Sequence, residues 1–94
     1  MPQRFHRTVF PGFAEIRQRR QALTDALVAR RMELGLSQTE VGKRWGRPQT
    51  QVSRLEGEPG RAELPTLAGY ARALGGTTRI EIVVGELTCV LELD

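Results

Sequence analysis

The run Gln49-Thr50-Gln51-Val52-Ser53-Arg54 holds four side chains whose chemistry suits the edges of base pairs. A glutamine amide donates and accepts in one plane, as adenine N6 and N7 require. An arginine fork matches guanine O6 and N7, and a threonine methyl can rest on that of thymine. Gln49, Thr50 and Gln51 open the run, and Arg54 lies one helical turn on. A solvated helix face carries the same residue types with no such role, so the run has meaning only within the frame that holds it. Lys43, Arg44, Arg47 and Arg61 surround it. They are candidates for phosphate contacts, which position a protein on a duplex without reading sequence, against the plainer reading of surface charge.

The frame is legible on both sides of the run. Ser37 reads as a helix N-cap, and Glu40 three residues later completes a capping box. That helix extends to about Trp45 and stops at Gly46. Pro48 suits the first turn of the next helix, where a missing N–H leaves nothing unpaired. This second helix spans 48–56 with Val52 and Leu55 inward. Gly57, Pro59 and Gly60 form a loop, and Pro65 opens a helix that runs to Leu74 with Leu67, Ala71 and Leu74 inward. Gly75 and Gly76 end it. Upstream, Phe13, Ile16, Leu23, Ala26, Leu27 and Leu34 fall on helical spacings, with Gly35 as C-cap. Thr24 could cap a new helix, so one long helix or two short ones both fit over 12–34. Trp45 and Tyr70 are expected to pack in the core.

The tail changes period. Ile80, Ile82 and Val84 alternate with Arg79, Glu81 and Val83; after Gly85-Glu86, Leu87, Cys89, Leu91 and Leu93 alternate with Thr88, Val90 and Glu92. A Gly-X pair between two such runs signals a type II′ hairpin. Pairing Val84 with Leu87 aligns Ile82 with Cys89 and Ile80 with Leu91, so all six share one apolar face. The same register sets Arg79 opposite Glu92, an attractive pair. A lone hairpin is marginal in water, so this face must pack on the helices or on a second copy. Cys89 is expected to be inert packing on it.

Residues 34–75 resemble the phage repressor/Cro, or XRE-type, helix-turn-helix family. The marks are LGLSQ, a small residue between two helices, a polar helix ending in SRLE, and a later helix ending in ALG. The ending TLAGYARALGGTTRIEIV is similar to antitoxins of the HigA type. The resemblance implies a mostly α, lambda-repressor-like bundle with helices near 23–34, 37–45, 48–56 and 65–74. The chain then divides into an N-terminal arm and helical extension (1–22), the DNA-binding domain (23–76) and a C-terminal β-hairpin (77–94). The resemblance places Gln49, Thr50 and Arg54 at base-reading positions. It places Gln38 where an amide meets phosphate and steadies the first recognition residue. It also implies a partly buried pair, Arg31 with Glu56, that locks the first helix to the recognition helix. Family antitoxins of this type bind a ribonuclease toxin and repress their own operon.

Charge is unevenly spread. Residues 1–31 hold seven Arg against Glu15 and Asp25, or +5, while 78–94 hold Arg79 against Glu81, Glu86, Glu92 and Asp94, or −3. Thirteen of the fourteen basic residues are Arg, which a genome's arginine bias explains as readily as nucleic-acid binding does. Within 1–22, Arg4, Arg7, Arg17, Arg19 and Arg20 accompany Phe5, Phe10 and Phe13. Such an arm can enter a minor groove or dock on protein; three Phe favour protein, a toxin or a second subunit. One cysteine excludes an internal disulfide and a cysteine-based zinc site. His6 stands without a constellation, and no nucleophile with its base, carboxylate pair or phosphate loop is evident. The expectation is a cytoplasmic, cofactor-free, non-enzymatic repressor that binds a double-stranded operator as a homodimer, with no metal and no membrane segment. The rival readings are an XRE regulator without a toxin and an adaptor that uses the same fold to bind protein.

Overall fold

The computed structural model describes residues 13–93. Helix α1 spans Phe13–Glu33, α2 Gln38–Trp45, α3 Gln49–Gly57 and α4 Leu64–Ala73. A 3-10 turn, Pro59–Arg61, joins α3 to α4, and strands β1 (Arg79–Val84) and β2 (Leu87–Glu92) follow. His6, Phe5, Phe10, Arg4 and Arg7 lie outside the described residues.

Helix α1 runs unbroken through Thr24. The threonine side chain is buried, with its hydroxyl within reach of the carbonyls of Arg20 (2.9 Å) and Pro59 (3.2 Å). A hydroxyl bonded back to the preceding turn needs no helix end, so the single long helix is the outcome. The helix closes where the Leu36 N–H reaches back to Arg31 O at 3.1 Å beyond Gly35. Its buried seam is not the apolar one. Ile16, Leu23 and Leu34 are exposed, Leu23 by 46%, whereas Thr24 and Arg31 are buried with Leu27 packed between them.

The capping box of α2 is formed: Glu40 N–H donates to Ser37 Oγ and Ser37 N–H to Glu40 Oε1, each at 3.0 Å. The helix-turn-helix corner follows from two glycines. Gly46 ends α2 in the left-handed region at φ 78°. Gly42 lets α3 approach, since a Cβ there would fall 2.6 Å from Arg47 O. Pro48 is the N-cap of α3, one position before the expected first turn. Its ψ of 152° is still extended, and its carbonyl accepts from Gln51 and Val52 N–H. Helix α3 thus begins one residue later than expected, whereas α4 begins one residue earlier, at Leu64.

Val41, Val52, Leu55, Ala62, Leu67, Tyr70 and Ala73 form the core, with Leu27, Leu36, Trp45 and Leu74 packed against it. On α4 the fully inward positions are Leu67, Tyr70 and Ala73; Ala71 and Leu74 are half-buried. Trp45 is half-buried at the core edge, not within it. Its ring meets Tyr70 edge-on at 6.2 Å and lies against Gly69, where a side chain would collide with the indole.

The hairpin has the register Arg79↔Glu92, Ile80↔Leu91, Ile82↔Cys89 and Val84↔Leu87. Gly85 takes φ 60° and Glu86 does not follow it into positive φ, as a type II′ turn requires. The hairpin does not pack on the helices. Ile82, Val84, Leu87 and Leu91 are 57% to 65% exposed, and Cys89 is exposed with them.

Candidate nucleic-acid interface

The site is built outward from Glu56, which ends the exposed helix α3. Arg31 of α1 grips its carboxylate in a fork, Nε to Oε2 at 2.8 Å and Nη2 to Oε1 at 3.0 Å. The two side chains are only 10% and 8% exposed. Tyr70 of α4 donates its hydroxyl to Glu56 Oε2 at 2.6 Å. Gln38 of α2 donates Nε2 to Oε1 at 3.0 Å. The Arg31 fork also donates to Leu36 O at 2.7 Å. One carboxylate therefore ties all four helices together.

The electrostatics follow from these contacts. Burial opposes ionisation of Glu56, but hydrogen bonds from Arg31, Tyr70 and Gln38 outweigh it and hold the carboxyl below the usual carboxylate range. The bond to Glu56 raises the Arg31 pKa above its ordinary value against the effect of burial. Burial, and then the bond to Glu56, push the Tyr70 hydroxyl well above the usual phenol range. All three groups keep one protonation state across neutral pH. Among the described residues, no buried side-chain polar atom lacks a partner. A buried pair satisfied in this way specifies geometry more surely than it adds stability.

The network continues to the surface. Gln38 Oε1 accepts from Gln49 Nε2 at 2.6 Å, so the first residue of α3 is held by a side chain anchored in the core. Gln49 keeps its carbonyl oxygen and one N–H for another partner. Gln49, Thr50 and Arg54 are exposed on α3, and Gln51 is half-exposed. Gln51 and Arg54 border a shallow depression with Glu58 and Arg61.

The candidate phosphate contacts separate. Lys43 is exposed on α2. Arg44 turns toward the end of α4, where it donates to Ala73 O at 3.4 Å. Arg47 lies over the Trp45 ring at 5.6 Å, a cation–π contact. Arg61 pairs with Glu58 at 3.1 Å on the surface. Residue order gave no sign of the Tyr70 hydroxyl in the Glu56 network, because an aromatic on an apolar stripe reads as core. It also gave no sign of Thr24, which could have been found only by admitting polar residues to the seam 24, 27, 31.

Among the described residues, no group of three His, Cys, Asp or Glu could hold a metal ion, and no helix is long and apolar enough to cross a membrane.

No protein-family model matches the chain. Antitoxin HigA1 of Mycobacterium tuberculosis, in strains CDC 1551/Oshkosh and H37Rv, is 44% identical over 78 residues, covering 83% of this chain and 52% of that protein. The chain thus spans about half the length of the curated relatives it matches. A solved HigA antitoxin, studied for induced DNA bending by unique dimerization, matches with TM-score 0.54 at 40% identity. That match covers 69% of this chain and 88% of the other.

Proposed function

Because the chain belongs to the HigA antitoxin family, we propose that it is an antitoxin of the XRE helix-turn-helix type. It binds operator DNA as a dimer, represses its own operon in the cytoplasm and partners a ribonuclease toxin. The observation that carries the DNA reading is the relay Arg31–Glu56–Gln38–Gln49. It spends a buried ion pair on fixing the exposed N-terminus of α3, which folding alone does not need. In a helix-turn-helix that end enters the major groove. Gln49, Thr50, Gln51 and Arg54 read base edges, and Gln38 backs the first of them while meeting phosphate. Lys43, Arg47 and Arg61 contact the backbone; Arg44 does so only by leaving Ala73 O.

The dimer reading rests on the hairpin. Ile80, Ile82, Val84, Leu87, Cys89 and Leu91 form one face, half-buried at Ile80 and exposed at the other five. Burying each large apolar side chain is worth about 1.5–3 kcal/mol, so a second copy is the natural cover. Two recognition helices then meet half-sites one turn apart, about 34 Å.

The test is a binding titration on a duplex carrying the promoter of the chain's own gene. Gln49→Ala and Arg54→Ala should each weaken specific binding by about 1–3 kcal/mol and relax choice at one base position. Lys43→Ala should weaken binding to every duplex alike and flatten the salt slope by about 1. Gln49 and Arg54 variants that bind as wild type place recognition elsewhere.

A further inference from the structure

The buried seam of α1 is Thr24, Leu27 and Arg31, on spacings of three and four. Carried one and two turns toward the N-terminus, the same stripe meets Arg20 and Arg17. These arginines therefore stand on the edge of α1 that borders the 3-10 turn, and both remain exposed to solvent. There the helix passes over the 3-10 turn, to which the Thr24 hydroxyl is joined through Pro59 O. The stem of Arg17 lies on Gly60 so closely that a Cβ at Gly60 would come 2.6 Å from Arg17 Cγ.

The result is a surface cleft lined by Ile16, Arg17, Arg20, Gly60 and Arg61. It gathers three arginines, and no carboxylate lines it among the described residues. Folding gains nothing from that concentration of like charge. Glu58 pairs with Arg61 in an exposed i,i+3 contact, with side chains 48% and 81% open. Such a pair is worth little and exchanges readily for a stronger anion. Arg61 also borders the depression that contains Gln51 and Arg54. Arg61 thus lies between the basic cleft and the depression beside α3, which also carries Glu58 and Glu63.

We infer that Arg17 and Arg20, with Arg61, form a second clamp on the DNA backbone, gripping phosphates that flank the base pairs read by α3. The inference rests on the DNA-binding reading above and extends it to the N-terminal half of α1. An arginine fork on a phosphate is planar and bidentate, and the 3-10 turn places it at the exit of the recognition helix. The clamp lengthens the footprint and steepens the salt dependence without altering which bases are chosen.

The experiment compares the double variant R17A/R20A with R19A, which removes charge from the same helix outside the cleft, and with R54A. Binding to the promoter duplex of the chain's own gene is measured across a salt series, with hydroxyl-radical footprinting of each complex. R17A/R20A should lower affinity at least tenfold and flatten the slope of log K against log salt by about 0.9 per arginine. It should also lose protection at the edges of the footprint with base preference intact. R17K/R20K should keep most of the slope. Circular dichroism should show an unchanged helix content, both residues being exposed. If R17A/R20A behaves as R19A does while R54A loses specific binding, the clamp is overturned and the recognition helix stands. The cleft is then a surface for an acidic protein. If wild type shows no specific binding, both are overturned.

Discussion

Within the helices, even charged groups are buried: Arg31 and Glu56 are sealed between four elements, and Thr24 is out of solvent altogether. In the hairpin the opposite holds, and Ile82, Val83, Val84, Leu87, Val90 and Leu91 all face solvent. The helices complete their own core and use a polar lock to set the angle of α3. The hairpin pairs the inner edges of its two strands and leaves its outer edges and apolar side chains open. Isolated two-stranded hairpins are marginal, which is why the proposed dimer places a second copy on this one. Exposed apolar area and buried charge are each costly to the single chain, but the buried charge is offset by contacts within it and the exposed area is not.

The sharpest way to break this contrast is to remove the hairpin. Cutting residues 78–94 should convert a dimer to a monomer in sedimentation, with the helical circular dichroism retained. Affinity for the promoter duplex should fall toward the non-specific level, a loss of about 4 kcal/mol or more. A truncated protein that still sediments as a dimer would show that the interface lies elsewhere and that the hairpin face serves another partner. Ile82→Glu, in the middle of the face, should reproduce the effect without deletion.

Next in size is the lock. Glu56→Ala leaves Arg31 buried without its partner, which should destabilise the fold by about 3–5 kcal/mol in a denaturant titration. In a domain of this size that is a large share of the whole stability. Val84→Ala, a truncation in the exposed hairpin, should change the stability of a monomeric variant by much less. Equal losses at the two sites would erase the contrast between the regions.

The smallest effect is on pH. Glu56 has a folded-state pKa below its unfolded value, since its three donors favour the anion. Its contribution is therefore present above the unfolded carboxylate pKa, about 4.3 for glutamate, and is lost as pH falls through the lower folded value. Stability should drop in that acid window, and Glu56→Gln should lower the neutral-pH stability while flattening the acid decline. An unchanged decline in Glu56→Gln would assign it to other carboxylates.

Local signals with a single physical cause were legible in the residue order. The Ser37/Glu40 box, the Gly46 stop and the Gly85-Glu86 turn depend on a few neighbouring groups, and each stands where the pattern puts it. The strand register was legible because side-chain alternation and the Arg79/Glu92 pair both select it, and a slip by one residue would invert both faces. Arg31 and Glu56 were identified only through likeness to a family, yet they lie in contact at 2.8 Å. Local pattern has no term for two residues 25 positions apart.

What only the tertiary structure decided lies where polar groups are buried or apolar ones are not. The apolar period of α1 points to Ile16, Leu23 and Leu34, but the helix turns Thr24 and Arg31 inward, because their hydrogen bonds are satisfied by Pro59, Leu36 and Glu56. Those partners come from distant segments, and no hydrophobicity pattern records them. The same applies to the meeting of Arg17 and Arg20 with Arg61, some forty positions away, which the rotation of α1 alone brings about. The sequence by itself determined the elements and their turns, since those are set by neighbours along the chain. The faces they present to one another were decided by the packed structure, since burial is a property of all the segments together.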